Sequence, residues 1–390
     1  MRNRTGLMPR ADESVADLSG ADLAVADPEQ AWREALRAGL VGLSRDPLNC
    51  ETPPELLGAG VTPTSRFFRR NHFPIPELDA AAWRLQIDGL VRHRLNLQLA
   101  ELKEFGAVSQ LAVLECAGNG RNLFSPLALG EQWGLGAVGN ARWTGVRLAD
   151  VLEHAGIQRG AVEVVFRGAD RGSMDDSPEV IAFERSLTVA DARYSGALLA
   201  FAMNDEPLPP RHGYPVRLVV PGKYAVASVK WLTGITVTDR PFDGFFQARH
   251  YVHEWRRGGS VVREPVAAPR VRALITEPAT ADVLPHGIFT VRGVAWSGAA
   301  PVTRVMVSVD GDQWQPARLE APGRPGGLRG DPDGHSWQRW ELLVRPIHPG
   351  ELTIRARATD GAGRIQPVQP EWDRRGYGGN FIHEVTVRLR

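Results

Sequence analysis

Apolar and polar positions follow three different patterns along this chain, and each predicts a different kind of structure. From Met1 to about Asp27 the residues are polar and unpatterned. Asp27-Pro28-Glu29-Gln30 then offers an N-cap, a proline at the first helical position and a capping-box glutamine, so a helix is predicted to follow. Trp32, Ala35, Leu36, Leu40 and Leu43 fall close to helical spacing and would give it one apolar face, packed on the domain behind it.

Between Pro47 and about Pro265 short apolar runs alternate with Gly/Pro turns. Ala82–Leu90, Ser109–Leu114, Val162–Phe166, Val216–Val220 and Ile235–Val237 read as strands, and Arg147–Ala155, ended by Gly156, reads as a helix. These elements keep no strict βαβ rhythm, which predicts a mixed α+β domain over 46–265. After Glu264-Pro265-Val266-Ala267-Ala268-Pro269 helical periodicity stops. Val271–Ile275, Ile288–Trp296, Val302–Val309, Ser336–Val344, Leu352–Ala358 and Ile382–Leu389 read as strands, with Asp310-Gly311 as a tight-hairpin signal and Asp360-Gly361-Ala362-Gly363 as a further turn. About seven short strands predict an all-β immunoglobulin-like sandwich over 266–390. The fold class is thus α+β, with residues 1–45 as a polar segment and helix in front.

Composition narrows the function. A chain of 390 residues exceeds the usual span of one hydrophobic core, so two domains are the default. Lys+Arg 46 against Asp+Glu 45 leaves a formal charge of +1, with no global field for nucleic acid or an anionic membrane, and any anion site must be local. Cys50 and Cys116 are the 2 cysteines, too few for a disulfide scaffold or for a zinc or iron–sulfur centre. Neither a signal peptide nor a run of roughly 18 apolar residues is visible, so a cytoplasmic chain without a membrane span is expected, or a periplasmic one if a leader has been removed.

Three segments carry candidate chemistry. Val113-Leu114-Glu115-Cys116-Ala117-Gly118-Asn119-Gly120-Arg121 puts a cysteine at the end of an apolar run and the start of a small-residue loop that would let a bulky group approach. Arg121 would favour the thiolate, the form that binds soft metals. By itself such a cysteine is more often a small packed residue. Phe67-Phe68-Arg69-Arg70-Asn71-His72-Phe73-Pro74-Ile75-Pro76 holds cationic and hydrogen-bonding groups on a proline-stiffened segment suited to an anion, or to a solvated Arg pair beside a satisfied histidine. His212-Gly213-Tyr214-Pro215-Val216-Arg217, followed by Ser228-Val229-Lys230, surrounds a strand with donors that would cradle a phosphate. No Walker or Rossmann glycine pattern is present, which disfavours a nicotinamide or P-loop enzyme.

In this order, the three segments resemble the sulfite oxidase family of molybdopterin enzymes, in the manner of a bacterial sulfite dehydrogenase without a haem domain. The resemblance extends over nearly all of 46–390 through Pro47-Leu48-Asn49-Cys50-Glu51-Thr52-Pro53, Gly139-Asn140-Ala141-Arg142-Trp143-Thr144-Gly145-Val146, Met203-Asn204-Asp205-Glu206-Pro207-Leu208-Pro209 and Trp372-Asp373-Arg374-Arg375-Gly376-Tyr377. It implies one molybdopterin and no haem, with Cys116 as the protein's ligand to molybdenum. It further implies that Arg70, Asn71 and His72 contact the cofactor, that His212, Arg217, Ser228, Val229 and Lys230 hold the pterin and its phosphate, and that Asp170 joins them from a loop of different length. Arg70, Arg121, Trp133, Tyr251 and Arg375 would form the substrate pocket, the last reaching in from the sandwich.

The activity implied is oxidation of sulfite to sulfate by oxo transfer, with electrons passed to an external acceptor, a c-type cytochrome or dioxygen. A sulfite-sized oxyanion suits clustered guanidiniums and a tyrosine hydroxyl. His250 stands where animal enzymes commonly have an acidic residue, and the loop from Cys116 to Trp133 is shorter and lacks a lysine, so sulfane-sulfur dehydrogenase and nitrate reductase relatives remain alternatives, as does a noncatalytic scaffold. Cys50 reads as structural. The resemblance also implies a homodimer formed through the sandwich.

Overall fold

The computed structural model describes residues 27–174, 177–257, 260–311, 313–320 and 334–390. The polar stretch before Asp27 lies outside them. The predicted first helix is present as Pro28–Arg37, capped by the Asp27 carboxylate, which accepts from the Glu29 amide at 3.3 Å. It is shorter than its apolar spacing implied. Gly39 adopts a φ of 86° and turns the chain, so Leu40 and Leu43 leave the helix, and Leu43 falls in the strand Val41–Ser44. Gln30 closes no capping box; its amide donates to Glu34 at 3.0 Å, and Leu36 is exposed. Ala35 is the helix residue that is buried, packing with Leu40, Leu48 and Cys50. Cys50 is a free, fully buried cysteine of this small cluster.

The region after it holds two five-stranded sheets. In one, Val108–Glu115 pairs with Val138–Arg147, which pairs with Leu198–Met203, flanked by Glu206–Pro207 and Arg217–Val219. In the other the order is Leu95–Leu97, Leu85–Gly89, Leu232–Thr238, Glu163–Met174, Ser177–Thr188. Leu85–Gly89 and Leu232–Thr238 run parallel, while the remaining pairs of this sheet are antiparallel, and this mixture is why the sequence shows no βαβ rhythm. Leu85, Ile87, Phe166, Leu199, Leu218 and Ile235 form part of the core between the sheets. The helix Leu148–Ala155 covers it with Leu148, Val151, Leu152 and Ala155 and ends at Gly156, whose φ of 69° closes the turn.

The C-terminal region is a sandwich of a four-stranded and a five-stranded sheet. All six predicted strands are present, as Arg272–Glu277, Phe289–Trp296, Val302–Val309, Gln338–Val344, Gly350–Asp360 and His383–Leu389. Val283–Leu284, Gln315–Pro316 and Arg318–Leu319 add two-residue edge strands too short to leave an alternation in sequence. Asp310 and Gly311 take the positive φ angles, 50° and 78°, that their turn signal predicts. Asp360 organises the other turn by accepting from the amides of Ala362 at 3.0 Å and Arg364 at 3.1 Å.

A separate apolar cluster joins the two regions: Val113 and Val138 from the first sheet pack with Leu274, Val294, Trp296 and Trp337 of the sandwich. The C-terminal region is therefore built onto the strand that leads to Cys116. No helix among the described residues is long and apolar enough to cross a membrane.

Candidate functional site

The strand Val108–Glu115 carries Leu111 to Glu115 into the interior and delivers Cys116 to the point where two hollows meet. One is a narrow cavity of about 70 Å³ and the other an open cleft of about 960 Å³; Arg70, His72, Cys116 and Tyr251 line both. The Cys116 amide donates to the Ala137 carbonyl at 2.8 Å, and its carbonyl accepts from the Asn119 amide at 3.0 Å. The glycines after it allow close approach by neighbours within the protein. A Cβ on Gly118 would lie 2.4 Å from the Arg121 guanidinium, and one on Gly120, at a φ of 85°, would lie 2.7 Å from the Gly379 carbonyl oxygen. Burial pushes the Cys116 thiol up, and Arg70 and then Arg121 act against it without reversing it, so Arg121 alone does not set the thiolate.

The cavity is lined by Arg69, Arg70, Arg211, Arg217 and Lys230 against a single carboxylate, Asp170. Lys230 Nζ donates to the Arg70 carbonyl at 3.1 Å and to Asn71 Oδ1, which ties the second motif to the third. Asn71 is further fixed by its side-chain amide, which donates to the Leu48 carbonyl at 2.7 Å. Arg217 donates to the carbonyls of His212 at 3.0 Å and Ser228 at 3.1 Å, and its guanidinium lies 5.0 Å from the Trp143 ring centroid. Ser228 Oγ accepts from the Val220 amide at 3.0 Å. Val229 differs from the other expected cofactor residues: its side chain belongs to the hydrophobic core, while Ser228 and Lys230 on either side line the cavity.

These cations lack sufficient counter-charge. Burial lowers Arg217 to about 9 and Arg69 to about 10, the latter helped by Arg211 nearby. Burial, then Arg217, holds Lys230 well below its usual range, and burial with Arg211 and Arg69 does the same to His212. Asp170 is raised by burial to about 7, with Lys230 pulling it back, and its Oδ1 has no hydrogen-bond partner. The Nε atoms of Arg69 and Arg211 are likewise buried without partners. A cavity that crowds cations around one carboxylate and leaves donors orphaned fits an anionic ligand, which would offset the charge that burial penalises.

The cleft is shaped by Arg121, Trp133, His250, Tyr251, Arg375 and Tyr377. His72 Nε2 lies 2.8 Å from the Tyr251 hydroxyl, and an Arg70 guanidinium nitrogen lies 3.0 Å from His72 Nδ1. Burial, then Arg70, keeps His72 well below its usual value, hence neutral. Arg121 donates from Nε to the Arg375 carbonyl at 2.6 Å and from a terminal nitrogen to the Glu131 carbonyl at 2.7 Å, so it fastens the Arg375 segment to the cleft wall. Arg375 itself lies 3.3 Å from His250 Nδ1. Asp373 holds this segment by accepting from the amides of Arg375 at 2.8 Å and Tyr377 at 3.2 Å. Trp133 is fully buried in the wall.

Every expected site residue except Val229 thus faces the cavity or the cleft. Sequence reasoning passed over Arg69, Arg211 and Tyr377 as site residues. Each adjoins or shares a motif with an assigned residue, on backbone that is not regular strand. Among the described residues no three His, Cys, Asp or Glu side chains form a metal cage, so Cys116 would supply a single protein ligand and a cofactor the others.

Both regions of the chain are similar to known proteins. The model of the oxidoreductase molybdopterin binding domain matches residues 72–246, and that of the Mo-co oxidoreductase dimerisation domain matches 263–390. Sulfite oxidase of Gallus gallus is 36% identical over 94% of this chain and 80% of its own length. Mitochondrial sulfite oxidase of Mus musculus is 36% identical over 89% of this chain, which spans 65% of that protein's length. Among solved structures, the sulfane dehydrogenase SoxCD of Paracoccus pantotrophus superimposes with a TM-score of 0.75 at 28% identity, covering 88% of this chain and 85% of the other.

Proposed function

We propose that this chain, which belongs to the sulfite oxidase family of molybdopterin-dependent oxidoreductases, oxidises a small sulfur oxyanion, with sulfite as the substrate and sulfate as the product. The observation that carries this is the meeting of a cationic cavity and an arginine-lined cleft at one cysteine. Arg70, His212, Arg217, Ser228 and Lys230 are the residues to hold the pterin and its phosphate, with Asn71 fixing Lys230, and Cys116 is the ligand to the metal. When bound, that group supplies two-electron oxo-transfer chemistry. The chain's own share is binding and orientation: Arg375 and Arg70 attract the oxyanion into the cleft, Tyr251 orients it through a neutral hydroxyl, and Trp133 and Tyr377 exclude water from its inner wall.

Electrons would leave to an external acceptor, a c-type cytochrome or dioxygen, reached through the same open cleft. The likeness to a sulfane dehydrogenase favours sulfane sulfur as the second choice of substrate. We further assign a homodimer built on the sandwich, by way of the dimerisation-domain match. The full chain, produced in a host that makes the cofactor, should contain one molybdenum and one pterin and reduce ferricyanide with sulfite. Turnover with sulfane sulfur or nitrate but not sulfite would replace the substrate, and absence of both metal and pterin would leave a noncatalytic scaffold. Cys116→Ser should lose metal and turnover together; a fully active variant would refute the ligand assignment.

A further inference from the structure

The residue before the site cysteine is a buried carboxylate. Glu115 is 1% exposed, and its partners come from the loop that follows and from the sandwich. Trp296 Nε1 donates to Glu115 Oε2 at 2.8 Å, and the Asn119 side-chain amide donates to Oε1 at 3.0 Å. Arg272, itself 1% exposed, has Nε 3.5 Å from Oε1. That separation makes an ion pair but not a well-aligned hydrogen bond, and Nε and one terminal nitrogen have no hydrogen-bond partner. The other terminal nitrogen donates to the carbonyls of Asn119 at 3.1 Å and Gly379 at 2.5 Å. Arg272 and Trp296 are cross-strand partners in the sandwich, and the guanidinium lies 6.0 Å from the indole centroid.

Cys116 therefore sits inside a short loop whose two ends, Glu115 and Asn119, are both held by Arg272 of the other domain, with Trp296 adding a second hold on Glu115. Asn119 completes the ring, since its Oδ1 accepts from the Ala137 amide at 3.1 Å next to the Ala137 carbonyl that receives the Cys116 amide. A second tether, from the Gly378 amide to the Ala117 carbonyl at 2.9 Å, also comes from the sandwich. A buried ion pair is weak evidence for stability, because desolvation offsets most of its attraction, and an apolar pair of the same volume would serve packing as well. What this pair does that an apolar one would not is fix the path of the backbone on both sides of the thiol.

We infer that Glu115, Arg272 and Trp296 form a positioning unit through which the sandwich sets the direction of the Cys116 sulfur. It rests on the proposed function for the identity of what the sulfur would bind, but its geometry does not. These are positioning residues, since none of them lines the cavity or the cleft.

The second cysteine supplies an internal control, because Cys50 lies buried in a different cluster. In the full chain made without cofactor, the alkylation rates of the Cys116 and Cys50 peptides by iodoacetamide are measured by mass spectrometry for the wild type, Glu115→Gln and Trp296→Phe. The last removes only one donor from a packed ring and is expected to fold. Loss of one buried hydrogen bond to a carboxylate should speed Cys116 roughly tenfold and leave Cys50 unchanged. In the molybdenum-loaded protein the same variants should shift the Mo(V) electron paramagnetic resonance signal without loss of metal. Equal acceleration of both cysteines, or no acceleration of Cys116 in either variant, would overturn the inference. Should the wild type bind no molybdenum at all, the proposed function fails while the ratio of the two alkylation rates still decides this one.

Discussion

Tyr251 places its hydroxyl 2.8 Å from His72 Nε2 at the junction of cavity and cleft, so a residue of the second motif and one more than 170 positions later meet in one hydrogen bond. Burial raises the Tyr251 hydroxyl and lowers His72, which keeps both neutral, and the direction of their hydrogen bond follows the imidazole tautomer. The pair is neutral among cations, which suits a group that orients an oxyanion without adding charge.

Tyr251→Phe should lower kcat for sulfite about tenfold to a hundredfold, the range for losing one donor at a reacting oxyanion, with metal content unchanged. Steady-state kinetics beside metal analysis checks this. Equal kcat in the variant would remove Tyr251 from the reaction.

Arg375→Gln should raise KM for sulfite more than it lowers kcat, because a guanidinium at the cleft wall attracts the anion before it reaches the inner site. A rise of roughly tenfold or more, reduced by added salt in the wild type, is the expected pattern.

Arg211→Gln separates cofactor holding from folding. Arg211 is lowered by burial and depresses its neighbour Arg69, so removing it relieves like-charge crowding in the cofactor-free chain. Its unfolding temperature should be unchanged or raised, while molybdenum retained after dialysis falls. A lower melting temperature with full metal retention would contradict the assignment.

His383 predicts how stability varies with pH. It lies in the sandwich, its Nδ1 accepts from the Ile275 amide at 3.0 Å, and burial followed by Arg272 lowers it from 6.5 to about 4. The unfolded chain therefore binds the proton more readily, and the histidine's contribution is fully present above 6.5 and lost as pH falls toward about 4. The loss approaches about 3 kcal/mol on the scale of 1.4 kcal/mol per unit. Denaturant titrations between those limits should show this slope, and His383→Gln should flatten it.

Much of the architecture was legible because local rules were obeyed. Alternation and turn residues marked the six long sandwich strands, and Gly156 marked the end of a helix whose apolar face is buried. The first helix was misjudged in length, since Leu40 and Leu43 continue its apolar spacing across a glycine that turns the chain. Cys116, Arg70, Lys230 and Arg375 could be named from their motifs, as the chemistry they carry needs those side chains in that order.

Tertiary structure alone decided what those side chains do to one another. Arg121 proved to be a fastener of the Arg375 backbone, Val229 a core residue, and Arg69 and Arg211 part of the cavity. The depression of His212 by the cavity cations and the Glu115–Arg272 pair depend on groups brought close from distant segments and shut away from water. Distance and burial set such energies, and neither is written in the spacing of residues along a chain.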